Sequence, residues 1–267
     1  MMKNIALLIP CYNNRDGLFK SLLSIDEDFL NPTVYVINDG SDFLLNDKDF
    51  ASYQFDVVLT NNAINLGIEH SLKLGVERIS DDGFEYFARL DCGDTQVKNR
   101  LYKQLNYLKD NPSVAVVGSY ANAVDPVTSE VVFELRNPIE YAAIQRRLLS
   151  TCCLCHPTIA ARVKCVIDVG NYRKKYQCAE DYDLYLRIAQ AHEITNIPEF
   201  LVNYEFAQND SFISIGRRPE QLKSRLKLQL SYFDVFSIAS YYGVIKSVLL
   251  MMIPYKYIVT LKERVLS

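Results

Sequence analysis

Five short apolar runs, each closed by a polar turn, are spaced along the first two hundred residues: Asn4–Ile9, Thr33–Asn38, Asp56–Thr60, Glu85–Leu90 and Val114–Val117. Runs of this length read as buried strands, and the segments between them carry helical spacing. That alternation predicts an α/β domain with a parallel or mixed sheet covered by helices. Between the first two runs, Leu18, Leu22 and Ile25 form one stripe, with Asn13 or Asn14 available as N-cap. A second stripe, Leu101, Leu105 and Leu108, ends at Asn111-Pro112, because a residue before proline leaves the helical region. No internal repeat or low-complexity linker interrupts the pattern.

Length and composition set the outer limits. A chain of 267 residues with 49% hydrophobic content is ample for one large domain, or one domain with an appendage. The formal charge of −3 is unevenly spread: residues 216–267 hold nine Lys/Arg against three Asp/Glu, which leaves 20 against 29 elsewhere. The expected division is therefore an acidic domain, residues 1–215, and a basic, apolar helical tail, residues 216–267. An acidic body argues against a nucleic-acid partner, whereas the tail suits an anionic membrane surface. Within the tail, Leu222, Leu226, Leu230 and Phe233 follow helical spacing beside Arg217, Arg218, Lys223, Arg225 and Lys227. The uncharged runs Val235–Ile245 and Ser247–Tyr255 are each shorter than the about 20 apolar residues a membrane span needs. Attachment at the interface is the expectation, with packing on the domain as the other reading. Met1-Met2-Lys3 leads straight into Ile5–Ile9 without a small-residue cleavage site, so the chain is expected to stay in the cytosol with its seven cysteines reduced. Cys152-Cys153-Leu154-Cys155-His156 fits a haem-attachment pattern, but that chemistry requires export. A zinc site would need Cys165 and Cys178, whose spacing fits no common module.

Among ten glycines there is no G-x-G pair, which removes the dinucleotide fingerprint and the phosphate-cradling P-loop. What stands at the ends of the strand-like runs is polar instead: Tyr12 and Asn13, then Asp39-Gly40-Ser41, then Asn65-Leu66-Gly67. Open α/β sheets bind ligands at those C-terminal strand ends. Two acidic clusters join them, Arg89-Leu90-Asp91-Cys92-Gly93-Asp94 after a strand and Ala179-Glu180-Asp181-Tyr182-Asp183 at a helix start. On that helix Asp181, Leu184 and Ile188 share one face, predicted to point inward; Asp183 and Arg187 share the other, predicted to be an outer i,i+4 pair.

In this order and spacing, Pro10-Cys11-Tyr12-Asn13, Val36-Ile37-Asn38-Asp39-Gly40-Ser41, Arg89 to Asp94 and Glu180-Asp181 resemble the inverting glycosyltransferases of family 2 over about residues 3 to 206. His156-Pro157-Thr158, Gly170-Asn171-Tyr172-Arg173 and Asn196-Ile197-Pro198-Glu199 are further likenesses to the family's bacterial polysaccharide enzymes. The resemblance implies the GT-A fold. It implies a donor site of Pro10, Tyr12, Asn13, Asp39, Asn65, Arg89 and Asp91, with Tyr12 on the nucleobase and Asp39 at its edge. Taken by itself, Asp39 reads equally as a turn residue. Asn38 stands where the family has its first Asp. Gly93 stands where the family commonly has the cation-binding Asp, so Asp94 is the nearest replacement; Asp91 and Asp94 are the implied ligands of Mg2+ or Mn2+, unless one of them holds donor hydroxyls instead. Arg89 either pairs with Asp91 or approaches the diphosphate. Asp181 is the implied base, and His156 and Glu180 the acceptor pocket, His156 reading equally as a core histidine.

The implied activity is transfer of a sugar, with UDP-hexose favoured, to a lipid-diphosphate-linked or oligosaccharide acceptor in bacterial surface polysaccharide synthesis, such as O-antigen in lipopolysaccharide. The implied location is the inner face of the cytoplasmic membrane. A non-catalytic nucleotide-sugar binder on the same fold is one alternative. A sugar nucleotidyltransferase is another, although the chain lacks that class's glycine-rich basic loop after strand one.

Overall fold

The computed structural model of the chain describes residues 5–206 and 217–253. Nine strands form one mixed sheet, in the order β3-β2-β1-β4-β8-β6-β9-β5 with β7 on β6. Its parallel half is β1 (Ile5–Cys11), β2 (Thr33–Asn38), β3 (Asp56–Asn61) and β4 (Tyr86–Arg89). The short β8 (Ala160–Arg162) runs antiparallel between β4 and β6 (Val114–Val124). β9 (Glu193–Glu205) lies parallel to β6 and antiparallel to β5 (Thr95–Gln96), and β7 (Val131–Leu135) pairs antiparallel with β6. The four parallel strands match the four predicted runs within two residues at each described end, and β2 matches at both.

Strand alternation explains why these runs are apolar throughout. Ala6 and Leu8 of β1, with Tyr35 and Ile37 of β2, face a core built with α2 (Ile68–Asp81), α4 (Tyr141–Leu148), α5 (Val163–Asp168) and α6 (Glu180–Ile188). Leu7 and Ile9, with Val34 and Val36, face the opposite core under α1 (Arg15–Leu23) and α3 (Arg100–Asp110). Both faces are covered, so neither set of alternate residues can be polar. On α1 the N-cap is Asn14, whose side chain accepts from Gly17 N. Ile25 falls beyond that helix, while α3 keeps all three leucines buried and ends at Asn111.

The described part of the tail is a two-helix unit, α7 (Arg218–Ser231) and α8 (Ile238–Met252). α7 is docked on the domain: Leu222 and Leu228 are buried, and Arg225 and Gln229 both donate to Ser150 O at 2.8 Å. α8 packs against α7 through Ser247, whose hydroxyl donates to Gln229 Oε1 at 2.7 Å, and through Gly243 against Ser150. Its outer face leaves Ile238, Tyr242, Ile245, Leu249 and Met252 exposed. Among the described residues no helix is long and apolar enough to cross a membrane. Pro254 and Tyr255, which end the second uncharged run, lie outside the described residues.

Candidate active site

The C-terminal ends of β1, β2 and β4 open onto one side of the sheet, and hydrogen bonds fasten their loops to one another. Asn14 Nδ2 donates to Cys92 O at 3.2 Å, tying the loop after β1 to the first acidic cluster. Asn13 adopts φ 48°; its N–H donates to Ser41 Oγ at 2.9 Å and its Oδ1 accepts from Asp42 N at 2.8 Å. This asparagine therefore shapes the loop that presents Tyr12, which is 51% exposed and free to meet a planar ring. Pro10 is buried inside β1 and acts through the backbone.

Asp39 is buried and fully employed. Its Oδ1 accepts from Asn62 Nδ2 at 2.7 Å and Leu66 N at 3.1 Å, and its Oδ2 accepts from Gly67 N at 2.9 Å. These bonds fold the loop after β3 around the end of β2, bringing exposed Asn65 alongside. Gly40 has φ +69°, and a Cβ there would sit 2.2 Å from Ile64 C, so only glycine fits the turn. Asn38 is also interior, with Nδ2 donating to Phe43 O and to Asn61 Oδ1.

Arg89 is the hub of the site. It is 3% exposed, ion-pairs with Asp91, and has no hydrogen-bond partner for Nε or Nη1. Its carbonyl is held by fully buried Arg100, whose Nη2 also donates to Pro157 O at 2.9 Å. Asp91 is 39% exposed on its side chain. Asp94 is buried and accepts from Glu205 N at 2.8 Å; burial, with Asp91 beside it, pushes its carboxyl well above the usual range.

Gly93, between them, has φ +109°, and a Cβ there would lie 2.8 Å from Glu205 Oε2. Glu205, at the end of β9, thus fills the space beside the loop and pairs with Lys20 at 2.7 Å. Nothing in the linear sequence marks this glutamate, since it lies 112 residues beyond Gly93.

Glu180 and Asp181 stand in the first turn of α6. Asp181 keeps part of its surface in solvent; its Oδ1 accepts from Tyr182 N at 2.7 Å, and Cys152 Sγ approaches Oδ2 at 3.8 Å. Burial raises its carboxyl, against the pull of the Tyr182 N–H and Arg89. Glu180 is nearly fully buried with Oε2 unpartnered, and burial together with the Asp181 charge pushes it up to about 8. At neutral pH it is therefore mainly a neutral carboxylic acid, able to donate a hydrogen bond. His156 is buried, its Nε2 2.9 Å from the Tyr172 hydroxyl, and burial beside Arg89 keeps it neutral.

The predicted outer pair of α6 is corrected by the structure. Asp183 is fully buried and accepts from Arg187 and Arg173, and Arg187 also donates to Asn171 O at 2.8 Å. Both faces of this helix are interior, because the chain from Asn171 to Arg173 wraps the side left to solvent in the sequence reading. A buried carboxylate tolerates that position only with two guanidinium partners.

Among the described residues no three His, Cys, Asp or Glu side chains converge on one point as a ready metal cage. A hard cation bridging substrate phosphates needs less, namely one or two carboxylates with waters completing its shell. Asp91, at the surface, and the Asp94 oxygen not engaged by Glu205 N fit that lighter requirement.

The chain and its fold have known relatives. The sequence pattern of the family described as Glycosyl transferase family 2 matches residues 6–170, more than half the chain. A protein described as an uncharacterized glycosyltransferase of Haemophilus influenzae is 24% identical over 92% of this chain and 79% of its own. The amylovoran biosynthesis glycosyltransferase AmsE of Erwinia amylovora is 27% identical over 74% of each. Among solved structures, residues 1–349 of S. aureus TarS in complex with UDP-GlcNAc superpose with a TM-score of 0.67 at 13% identity, covering 92% of this chain and 71% of that one. The mannosyltransferase PcManGT of Pyrobaculum calidifontis, in complex with GDP-Man and Mn2+, gives 0.64 at 12% identity, covering 92% and 69%. These two likenesses concern the fold, which is that of GT-A glycosyltransferases.

Proposed function

The chain belongs to glycosyltransferase family 2, and from that membership and its paired acidic loops we propose that it is an inverting transferase of bacterial polysaccharide synthesis. One observation carries the reading: Asp181, partly exposed and with its carboxyl raised by burial, and the surface carboxylate Asp91 both lie within electrostatic reach of buried Arg89. Such an arrangement separates a base for the acceptor from an anchor for the leaving group.

Tyr12 packs on the nucleobase of the donor, and Asp39 holds the loop that carries Asn65 beside it. UDP-hexose is the favoured donor; the TarS complex with UDP-GlcNAc supports the nucleotide, and the GDP-Man complex of the archaeal enzyme marks the competing choice. Asp91 and Asp94 would hold a Mg2+ or Mn2+ ion, which when bound offsets charge on the departing diphosphate. Arg89, with two unpartnered donor nitrogens, adds a fixed positive charge on the same side. Asp181 removes the proton from the acceptor hydroxyl as that oxygen attacks the anomeric carbon. Burial moves this base toward neutral pH, where general-base catalysis is most effective. Neutral Glu180 donates a hydrogen bond to an acceptor or donor hydroxyl, and His156, buried behind Tyr172, supports the pocket wall. Attack from the face opposite the leaving diphosphate inverts the configuration, and no covalent sugar intermediate is needed.

The acceptor is a lipid-diphosphate-linked glycan met at the inner face of the cytoplasmic membrane. The exposed apolar face of α8 supports that placement, lying in the interface without spanning it. Replacing Asp181 by Asn tests the core of the reading. Donor affinity is expected to stay within about twofold while turnover falls by at least ~10²-fold; wild-type turnover in that variant would remove Asp181 from the role of base.

A further inference from the structure

The segment 174–177 and helix α7 line a shallow, open basin of about 250 Å³. Four lysines line it, Lys174 and Lys175 from the segment and Lys223 and Lys227 one turn apart on α7, with Ser224 between them and a single acid, Glu220. None of the four is ion-paired to a carboxylate among the described residues; Lys175 rests on the ring of Tyr176. Four ammonium groups against one carboxylate is a local excess of three charges. Lys223 and Lys227 belong to the basic tail and Lys174 and Lys175 to the acidic domain, so the cluster forms where the fold brings the two together.

We propose that this basin binds the diphosphate of the lipid-linked acceptor and so sets the distance from lipid to reacting hydroxyl. The inference rests on the acceptor class proposed above and locates a site for it. Three observations favour a diphosphate ester. The four lysines come from two separate elements that line one depression, so they can converge on a compact polyanion. Its excess of three positive charges attracts a group carrying about two negative charges more strongly than a phosphodiester headgroup carrying one. Lys174 also lines the adjoining cleft of about 340 Å³, whose wall includes Glu69, Tyr172 and Arg173. Tyr172 bonds to His156 and lies within electrostatic reach of Glu180 and Asp181, so the cleft wall is joined to the proposed base through directly packed residues. The same two-helix unit supplies the exposed apolar face of α8, where a polyprenyl chain leaving the basin enters the bilayer.

The test uses the full chain and reads binding without turnover. Phosphatidylcholine vesicles carrying a polyprenyl diphosphate are compared with vesicles carrying phosphatidylglycerol at equal charge, and inorganic pyrophosphate is titrated separately. For the double variant Lys223→Gln/Lys227→Gln, the expected loss is about thirtyfold on polyprenyl diphosphate, equivalent to about 2 kcal/mol, with a similar loss on pyrophosphate. Affinity for phosphatidylglycerol vesicles and for UDP is expected to be unchanged. Lys174→Gln/Lys175→Gln should reproduce the loss from the other wall, and Lys223→Arg/Lys227→Arg should restore most of it. Equal losses on both vesicle types would make the lysines a headgroup surface and overturn the proposal, as would undiminished diphosphate binding in both glutamine variants. Lysine-dependent diphosphate binding by a protein that transfers no sugar would instead sink the transferase reading and leave this site standing.

Discussion

Replacing Glu180 by Gln should stabilise the protein by an amount that grows from about pH 4.5 to about pH 8 and holds constant above it. The burial that leaves Oε2 without a partner, together with the neighbouring Asp181 charge, raises this carboxyl from 4.5 to about 8. Between those values the unfolded chain has released its proton while the folded chain keeps it, so wild-type stability falls as pH rises and levels off above about 8. At about 1.4 kcal/mol per unit the interval amounts to roughly 3–5 kcal/mol, an upper estimate because Asp181 shares the coupling. Gln has the same shape and no proton to lose. The stability difference, variant minus wild type, should therefore be flat below about pH 4.5, climb steadily to about pH 8 and then stay constant. Taking the difference removes the contributions of Asp94, which burial also raises, and of His156, which it lowers, while Asp181, whose charge acts on Glu180, stays within it. Urea unfolding followed by far-UV circular dichroism at a series of pH values reads it directly, since the chain has no tryptophan to report the transition. A difference that stays constant from pH 5 to 8.5 would show that Glu180 ionises normally, and with it would go the neutral hydrogen-bond donor assigned to the acceptor pocket.

Gly93→Asp, which would write the family's commoner motif, should lower stability by about 1–3 kcal/mol in thermal melts, because φ +109° is unfavourable for a side chain and the new Cβ meets Glu205 Oε2. Asp39→Ala removes three hydrogen bonds from the loop after β3 and should cost about 2–4 kcal/mol while weakening UDP binding by calorimetry. On the acidic side, kcat/KM should fall with an apparent pKa above the ordinary Asp value, because burial raises the carboxyl of Asp181; the residual activity of Asp181→Asn should lack that limb.

The parallel half of the sheet was readable because each strand is covered on both faces, so burial writes itself as an unbroken apolar run between turn residues. β2 is the clearest case, bounded by Pro32 and by the turn at Gly40. β6 runs seven residues past the predicted stretch, through Gly118, Ser119 and Asn122, because pairing with β7 and β9 holds it extended where its own composition does not. β9 contains Pro198 and irregular register, and its pattern has no single period to detect. At the site, the short motifs marked the loops that end β1, β2 and β4 and the first turn of α6. Glu205, Cys152 and the four-lysine basin were not legible, since each acts across a sequence gap that only the fold closes. The α6 pair shows the opposite failure: Asp183 and Arg187 read as solvent-facing from their charges, yet Arg173, which lies before the helix, supplies the second guanidinium that lets Asp183 be buried.

The central claim, a single displacement at the anomeric carbon, can be tested without knowing the natural acceptor. With UDP-α-glucose as donor and a short alcohol in place of the acceptor, the product is an alkyl glucoside whose configuration is fixed once formed, and proton NMR of its anomeric signal reads that configuration. The geometry around Asp181 predicts the β-glucoside, with its formation lost in Asp181→Asn. An α-glucoside from the wild-type protein would contradict the account.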